Sequence, residues 1–445
     1  MKARFSQRKA GFRFLGQFAQ NRLKTAFLLF PFLLTFRSVD CSLLIVLTKK
    51  RITHEFQQST TSNQQLTNNS VSISPKVTPI YQTSVFTFED LNALETYFAE
   101  PGKHYMYSRN GNPNPDELAE EINQLEKGNG AVVTSSGMSA ILAAVLVYCQ
   151  AGDHLLCAEE IYGGSAALLS QELTRLGVQV TFVPMPNLYE LGGYVQPTTK
   201  MLLIETISNP MMTVLDIAQV AQACQSQGIK LVVDNTFASP VITRPLELGA
   251  DLVMHSVTKY LSGHSDVTAG VVVAKEAAEA ARAKQITVAW GLNLSPFDSW
   301  LASRGLKTLK LRMRQHSANA LAIAEYLQQH PHVKEVFYPG LKDHAQHQIA
   351  QTQGNGLFGG MLSFRIEDDV ETVNRFMRGL EQIPFAPSLA GVVSSISYPM
   401  GTSHRALTPE QRQKLGITVG LIRLSVGIED VEELITDLDK GLAAI

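Results

Sequence analysis

The sequence is poor in cysteine, in tryptophan and in charged side chains. Its 445 residues include only 4 Cys and 2 Trp, and Lys, Arg, Asp and Glu together make up 18% of the chain. The cysteines are widely spaced and form no CxxC pair, which argues against a zinc site and against a secreted scaffold held by disulfides. We therefore expect reduced thiols, a cytoplasmic location and no metal site.

Long apolar runs are also scarce. The stretch AFLLFPFLLTF at 26–36 is interrupted by Arg37 and Asp40 before it reaches membrane-spanning length. No small-residue cleavage site follows it, although the acid-free, Arg-rich residues 1–24 leave a transit peptide or an incidental extension open. A membrane partner is not favoured, and a tether through residues 26–48 stays a minor hypothesis.

Acidic and basic residues are distributed unevenly. Residues 1–51 hold eleven Lys and Arg against one acid, whereas the rest of the chain holds 27 basic and 39 acidic residues. The excess of acidic residues after residue 51 argues against a nucleic-acid partner. Residues 59–74 are uncharged and rich in Ser, Thr, Asn and Gln, which is the composition of a flexible linker. We expect residues 1–74 to be a poorly ordered extension.

From residue 75 onward, short apolar runs alternate with helical segments. Strands are predicted at 131–136 and from residues 154, 201, 230, 251 and 270, with helices at 138–149, 164–176 and 217–227. This alternation is typical of a mostly parallel, doubly wound α/β sheet. A long helical stretch at 300–330 then leads to a smaller α/β region, with strands predicted at 333–340 and 359–366 and helices at 370–380 and 429–442.

Polar residues close several of the predicted strands. Ligands of open α/β sheets bind beyond the carboxyl ends of the strands, and a helix N-terminus that follows a strand can hold a phosphate. The residues concerned are Ser135, Ser136, Gly137, Met138, Glu205, Asn209, Asp234, Ser256, Thr258 and Lys259. Each has an ordinary alternative explanation as a turn, a cap or a solvated side chain. Together they supply the phosphate site, the carboxylate and the lysine that pyridoxal phosphate (PLP) requires.

A set of motifs occurs in one order over residues 75–445. They are PIYQTS at 79–84, YSRNGNP at 107–113, SSGMSA at 135–140, YGG at 162–164, ETISNP at 205–210, VDNTF at 233–237, SVTKY at 256–260, GHSD at 263–266 and IRLSVGIED at 422–430. The sequence thereby resembles the Cys/Met-metabolism (trans-sulfuration) family of PLP-dependent enzymes. This resemblance implies PLP fold type I, which is aspartate-aminotransferase-like, with a large mostly parallel sheet domain and a smaller C-terminal α/β domain.

The resemblance also implies roles for individual residues. Lys259 would form the Schiff base and move protons, Asp234 would hold the proton of the pyridine nitrogen, and Tyr162 would stack on the cofactor and assist proton transfer. Asn209 would contact the 3′ oxygen of the cofactor. The implied phosphate cup consists of Gly137, Met138, Ser256 and Thr258, and the implied clamp on the substrate carboxylate consists of Arg423 and Ser388.

Tyr107 and Arg109 match a pair that reaches the phosphate from a neighbouring subunit. The resemblance therefore implies a homo-oligomer built from dimers that share active sites, with a homotetramer as the expected assembly. We predict an arm over residues 75–125 that reaches this neighbour, a PLP-binding α/β domain over 126–310 and a C-terminal α/β domain over 311–445.

The family acts on small sulfur-containing or O-acylated amino acids. The resemblance implies a carbon–sulfur lyase or transferase, with γ-elimination or γ-replacement on cystathionine or O-acylhomoserine as the main prediction. Methionine γ-lyase and O-acetylhomoserine sulfhydrylase are the alternatives, and β-elimination stays open. An inactive PLP-binding regulatory relative is the non-enzyme alternative, against which the retention of Lys259, Asp234, Tyr162 and Arg423 argues.

Three departures bear on the substrate. Enzymes that act on cystathionine usually carry a glutamate immediately before the serine that is Ser388 here, but this chain has Pro387. They usually carry an arginine shortly after the YGG element, whereas Ala166 and Ala167 follow Ser165. Gly164 stands where methionine γ-lyases typically have a cysteine. The first two departures weaken the expected recognition of a substrate with a charged distal end. The third does not support assignment of the chain as a methionine γ-lyase.

Other motifs carry little weight. A GxGxxG at Gly354, Gly356 and Gly359 precedes a predicted strand instead of following one, so a dinucleotide site is not favoured. His255 and His264 flank the lysine motif, and packing or hydrogen bonding is their expected role. Five further histidines are expected at the surface, namely His316, His330, His332, His344 and His347.

Overall fold

The structure is a computed structural model that describes residues 75–100, 102–405 and 407–445. The predicted extension, linker and apolar run at 1–74 lie outside the described residues. Among the residues that are described, no helix combines the length and apolar character needed to cross a bilayer.

A seven-stranded sheet carries most of the elements anticipated from the sequence. Its strands are β1 (Ala131–Thr134), β2 (His154–Ala158), β3 (Gln179–Val183), β4 (Thr199–Glu205), β5 (Lys230–Asp234), β6 (Leu252–Ser256) and β7 (Gly270–Ala274), in the spatial order β1-β7-β6-β5-β4-β2-β3. Strands β3, β2, β4, β5 and β6 pair in parallel, whereas β7 runs antiparallel to both β6 and β1. The mostly parallel sheet is therefore confirmed.

Thirteen α-helices accompany the strands in the described part of the chain. They are α1 (Leu91–Ala99), α2 (Pro113–Glu126), α3 (Gly137–Tyr148), α4 (Gly163–Ala167), α5 (Ile217–Ser226), α6 (Ser239–Ile242), α7 (Ala277–Trp290), α8 (Pro296–Leu306), α9 (Leu309–Gln329), α10 (His347–Gln353), α11 (Val370–Gly379), α12 (Pro409–Lys414) and α13 (Val431–Ala443).

Both faces of the large sheet are covered, which explains its continuous apolar runs. Every residue of β2 and of β7 is buried. Leu118 and Ile122 of α2 belong to the cluster on one face, together with Val253 of β6, whereas Ala144 of α3 belongs to the cluster on the other. The sheet is thus sandwiched between helices, so its functional edge is the end where the strands stop.

A second, smaller sheet follows in the C-terminal part. It contains β8 (Glu335–Phe337), β9 (Met361–Arg365), β10 (Ser395–Ser397) and β11 (Leu421–Ser425), in the order β10-β11-β9-β8 with every pairing antiparallel. Its core includes Phe364, Phe376 of α11 and Leu438 of α13. The smaller α/β region is confirmed, and the exact domain boundaries stay a prediction.

Several sequence-based boundaries were wrong. The helix predicted at 300–330 is two helices, α8 and α9, which are separated at residues 307–308. The segment at 164–176 contains α4 and then a π-helix, Leu168–Leu173. Strands β3, β10 and β11 had not been predicted. A strand as short as β10 offers too few residues for a recognisable alternation.

Candidate active site

A cavity of about 540 Å³ lies at the carboxyl ends of β4, β5 and β6. The last residues of these three strands, Glu205, Asp234 and Ser256, all line it. The N-terminus of α3 closes one side, and Arg423 from the smaller sheet closes another. The predicted ligand edge of the sheet is therefore a single concave site.

The N-terminus of α3 faces Ser256 closely. A side chain at Gly137 would place its Cβ 2.7 Å from Cβ of Ser256, so only glycine permits this approach. The hydroxyl of Ser136 caps the helix by accepting the Ser139 N–H at 3.1 Å. The N–H groups of Gly137 and Met138 lie in the first turn, where a helix supplies no backbone acceptor. This corner can hold a phosphate.

Thr258 is fixed on the loop beyond β6. Its hydroxyl donates to the carbonyl of Ala269 at 3.1 Å, and the N–H of Ala269 donates back to the same oxygen at 3.0 Å. The loop that carries Thr258 and Lys259 is thereby tied to the segment that precedes β7. Both residues line the cavity.

Asp234 is partly buried and is tied to the Ser256 side of the cavity. Its Oδ1 accepts hydrogen bonds from the backbone N–H and the hydroxyl of Thr236. The Thr236 hydroxyl in turn accepts the N–H of Ser256 at 2.9 Å. Burial raises the pKa of Asp234, whereas the bonds from Thr236 and the nearby His255 oppose that rise. A cationic ring nitrogen beside Asp234 would supply a missing counter-charge.

Glu205 stands next to Asp234 across the paired strands β4 and β5. Its Oε1 accepts the backbone N–H of Tyr162 at 2.8 Å. Burial, and then the charge of Asp234, raise the pKa of Glu205 well above its ordinary value. Protonation of Glu205 is therefore easier than that of an exposed glutamate, and its carboxyl group anchors the start of α4.

Lys259 lies in the same cavity, three residues beyond the end of β6. Burial and then the positive charge of Arg423 lower the pKa of its ammonium group. The free amine, which is the nucleophilic form of lysine, therefore becomes available at a lower pH than on a surface lysine.

Arg423 reaches the cavity from β11 of the smaller sheet. Its side chain is buried, and Nη1 donates to Oδ1 of Asn209 at 3.0 Å. Nε has no hydrogen-bond partner among the described residues. Burial lowers the pKa of Arg423 to about 10. A buried guanidinium with unused donors beside a cavity is suited to a carboxylate ligand.

The structure brings together most of the residues proposed from the sequence. Nine of them line the cavity, namely Gly137, Met138, Tyr162, Asn209, Asp234, Ser256, Thr258, Lys259 and Arg423. Ser388 does not, although its neighbours Pro387 and Leu389 do. The roles of these residues stay predictions.

Tyr107 and Arg109 lie away from this cavity within the chain. Tyr107 is 39% exposed, and the Arg109 guanidinium lies 5.4 Å from the centre of its ring. Nη1 of Arg109 donates to the carbonyl of Val288 at 3.3 Å. Their predicted role at a neighbouring subunit's phosphate is not tested within one chain.

Two further cavity residues, Ser136 and Glu205, had been singled out at strand ends in the sequence, and Pro387 had been noted beside Ser388. The remaining cavity residues had not been proposed; they are Ile141, Ile207, Thr236, Phe237, Met254, Thr268, Leu389, Thr402 and Ser403. Thr236 and Phe237 belong to the VDNTF motif and were recognisable. Thr402 and Ser403 come from a distant loop, where no local pattern signals a site. Ser403 packs so closely on α4 that a Cβ at Gly163 would lie 2.3 Å from its carbonyl oxygen.

The histidines differ in part from expectation. His316 was predicted at the surface but is buried, with Nδ1 2.7 Å from the carbonyl of Val426. Burial lowers the pKa of His316 to about 4. His255 and His264 form hydrogen bonds, as expected, to Glu126 and to the carbonyl of Ser262. No cluster of three or more possible metal ligands occurs within residues 75–100, 102–405 and 407–445.

The chain is similar to known proteins over most of its length. A family model described as "Cys/Met metabolism PLP-dependent enzyme" matches residues 59–443. An L-methionine γ-lyase from Porphyromonas gingivalis is 42% identical over 83% of this chain and 92% of its own length. A cystathionine β-lyase from Lactococcus lactis is 43% identical over 82% of this chain and 93% of its own.

A solved structure matches as well. The cystathionine γ-synthase of Xanthomonas oryzae pv. oryzae, in complex with aminoacrylate and cysteine, superimposes with a TM-score of 0.78 at 40% identity. The match covers 83% of this chain and 93% of that one. The predicted resemblance and fold class are both confirmed.

Proposed function

The chain belongs to the Cys/Met-metabolism family of PLP-dependent enzymes, and on that premise we propose that it catalyses γ-elimination or γ-replacement on cystathionine or O-acylhomoserine. The observation that carries the proposal is one cavity lined by Lys259, Asp234 and the N-terminus of α3. Pyridoxal phosphate, when bound there, draws electrons from the α-carbon of the substrate so that bonds at Cβ and Cγ can break.

The chain's own residues fit that cofactor. The Gly137 corner leaves room for a phosphate against first-turn N–H groups. Asp234 would hold a proton on the ring nitrogen, and Asn209 would contact the 3′ oxygen. Ser256 and Thr258 would complete the phosphate cup, since both line the same cavity.

Proton transfer falls to Lys259 and Tyr162 in this proposal. The lowered pKa of Lys259 favours the free amine. This amine would hold the cofactor and, when it is not attached to it, would accept a proton from the substrate. Tyr162 lines the cavity at the start of α4, and its backbone N–H donates a hydrogen bond to Glu205. Tyr162 would deliver a proton to the leaving group.

Arg423 would bind the substrate α-carboxylate. Its buried guanidinium keeps Nε free within the described chain while Nη1 is held by Asn209. This arrangement presents a fixed donor, which orients the substrate before any bond breaks. Ser388 would assist from the loop that also carries Pro387 and Leu389.

A homo-oligomer with shared active sites accompanies the proposal. No residue of α1 is buried in the single chain, and Leu91 and Phe98 are 78% and 61% exposed. Apolar surface of this kind favours contact with another subunit. Tyr107 and Arg109 would reach the neighbour's phosphate, dimers would assemble into a tetramer, and the enzyme would work in the cytoplasm.

A second candidate activity is elimination from methionine or sulfhydrylation of O-acetylhomoserine. Pro387 and Leu389 line the cavity, in the region where a charged residue would suit a cystathionine-specific enzyme. An apolar lining favours a smaller, neutral group at the γ position. This observation is the reason to test those substrates alongside cystathionine.

Product identification with L-cystathionine tests the reaction. Cysteine with 2-oxobutyrate is the result expected for γ-elimination, whereas homocysteine with pyruvate would replace that proposal by β-elimination. Absence of product would direct the assay to methionine and to O-acylhomoserine with sulfide. Lys259→Ala should abolish turnover and covalent attachment of the cofactor, detected by mass spectrometry after borohydride reduction. The exposed Lys275→Ala should retain both.

A further inference from the structure

Four buried polar side chains lie beneath the proposed cofactor site. We call this set the polar belt, and it consists of Glu126, Thr206, Asn235 and His255. Three of its members neighbour a cavity residue in the chain, because Thr206 follows Glu205, Asn235 follows Asp234 and His255 precedes Ser256. Since successive side chains of a strand point to opposite faces, the belt lies behind the sheet from the cavity.

One carboxylate oxygen of Glu126 connects the belt. Oε1 accepts a hydrogen bond from Nδ2 of Asn235 at 2.9 Å and lies 2.6 Å from Nε2 of His255. This single oxygen therefore joins the end of β5 to the end of β6. The two residues that it joins are the chain neighbours of Asp234 and Ser256, which line the cavity.

The belt continues to β4 through Asn235. The hydroxyl of Thr206 donates to Oδ1 of Asn235 at 2.7 Å, and the N–H of Thr206 donates to the carbonyl of Asp234 at 3.0 Å. Nδ2 of Asn235 also donates to the carbonyl of Thr243 at 2.8 Å. The ends of β4, β5 and β6, which carry cavity residues, are thus connected on the side of the sheet opposite the cavity.

Packing alone does not account for this set. Glu126, Asn235 and His255 are fully buried, and a buried polar pair is often no more stable than apolar residues of the same size. Glu126 is the last residue of α2, where a negative charge is unfavourable for the helix dipole. Nδ1 of His255 and Oε2 of Glu126 have no partner among the described residues. Burying these polar groups lowers the stability of the fold, so a role in positioning the cavity residues explains their presence better than packing does.

We propose that Glu126 is a positioning residue that sets, from behind the sheet, the spacing between Asp234 and Ser256, and therefore between the sites for the cofactor's ring nitrogen and its phosphate. The inference rests on the proposed function, because it concerns the same cofactor site. Glu126 touches neither cofactor nor substrate. It acts through Asn235 and His255.

Two substitutions at Glu126 separate geometry from charge. Glu126→Gln keeps the side-chain length and an oxygen that accepts from both partners, whereas Glu126→Leu keeps the size and removes the acceptor. The full-length chain, freed of cofactor, is titrated with pyridoxal phosphate, and the visible circular dichroism of the bound cofactor is recorded. We expect Glu126→Leu to raise the Kd about 10-fold or more and to alter the dichroism, and Glu126→Gln to stay within about 3-fold.

A matched control lies in the C-terminal region. Asp437 is also a buried carboxylate on a helix, and it accepts the backbone N–H groups of Glu381, Gln382 and Ile383. Asp437→Leu should lower the thermal midpoint but leave the Kd for pyridoxal phosphate unchanged. A loss of stability alone therefore does not reproduce the expected result for Glu126→Leu.

The outcomes are distinct. An unchanged Kd in Glu126→Leu would overturn the inference, as would equal weakening in Glu126→Gln. If Glu126→Leu does not fold, Glu126→Asp keeps the carboxylate but shortens the side chain, so that it can no longer reach both Asn235 and His255. A Kd raised about 3-fold or more supports the inference, and an unchanged one overturns it. A wild-type chain that fails to bind pyridoxal phosphate would instead refute the proposed function.

Discussion

The backbone N–H of Tyr162 donates a hydrogen bond to Oε1 of Glu205 at 2.8 Å, and Glu205 pairs in register with Asp234 on the next strand. One buried carboxyl thus touches the element that carries the proposed proton donor and lies beside the proposed partner of the ring nitrogen. Burial and the charge of Asp234 raise the pKa of Glu205 well above its ordinary value. Its protonation is therefore linked to the stability of the whole site.

Glu205→Gln is expected to change how stability depends on pH. Because the folded-state pKa is raised, the stability linked to Glu205 is fully present below the ordinary range of glutamate and is lost as pH rises through the raised pKa. Glutamine keeps an oxygen for the Tyr162 N–H and cannot ionise. In cofactor-free protein, the thermal midpoint of Glu205→Gln relative to wild type should therefore rise with pH.

Thermal midpoints of both proteins, measured from acidic to mildly alkaline pH, check this expectation. The exposed Glu89→Gln serves as the control and should follow wild type throughout. A difference between Glu205→Gln and wild type that stays constant with pH would contradict the raised pKa of Glu205.

Gly137→Ala should weaken the binding of pyridoxal phosphate about 10-fold or more. The added Cβ would lie 2.7 Å from Cβ of Ser256, so the start of α3 must move away from the phosphate corner. Titration with pyridoxal phosphate and with unphosphorylated pyridoxal is the measurement, and the phosphorylated form should lose more affinity.

A glycine in an open setting provides the control for that experiment. A Cβ at Gly192 would meet nothing within 4 Å, so Gly192→Ala should bind both forms as wild type does. Equal weakening of the two forms in Gly137→Ala would mean that the corner does not hold the phosphate.

Arg423→Gln is expected to lower kcat/KM roughly 10- to 100-fold, mainly through KM, because a charge-assisted contact to the substrate carboxylate is lost. Cofactor binding should remain. Steady-state kinetics with the substrate identified above, together with a cofactor titration, provide the test. A variant that keeps the wild-type KM would exclude Arg423 from carboxylate binding.

Arg312 offers a matched comparison, because burial also lowers its pKa to about 10. Its guanidinium donates to the backbone carbonyls of Tyr260, Leu261 and Gly305 instead of lining the cavity. Arg312→Gln should therefore reduce the thermal midpoint while the KM of the remaining folded enzyme stays close to wild type.

Mixing two inactive variants should test the shared active sites. Arg109→Ala removes the residue proposed to reach a neighbour's phosphate, and Lys259→Ala removes the lysine of the chain's own site. A heterodimer of the two would contain one intact site, so subunit exchange should restore roughly a quarter of wild-type activity. Activity after co-refolding is the measurement. No recovery, with heterodimers detected by native mass spectrometry, would place Arg109 outside the neighbour's site.

The local sequence was sufficient to predict the strands of the large sheet that are buried on both faces. Strands β2 and β7 are buried throughout, and the three central residues of β5 are buried and apolar. The motif residues at the ends of β4, β5 and β6 identify a ligand edge. The local sequence was insufficient for β10, which is short, and for the break between α8 and α9. Those features depend on packing against distant segments, which leaves no periodic pattern in the sequence.

The amino-acid sequence by itself determined the family, the cofactor and about half of the residues around the cavity, because motif residues must follow particular strands in a fixed order. Only the tertiary structure decided that Arg423 of the small sheet meets Asn209, that Glu205 holds the backbone of Tyr162, and that Glu126 joins two strand ends from behind. These contacts join residues far apart in the chain. Burial strengthens these hydrogen bonds and shifts the pKa values of the groups that form them, and these side chains become buried only when the chain folds.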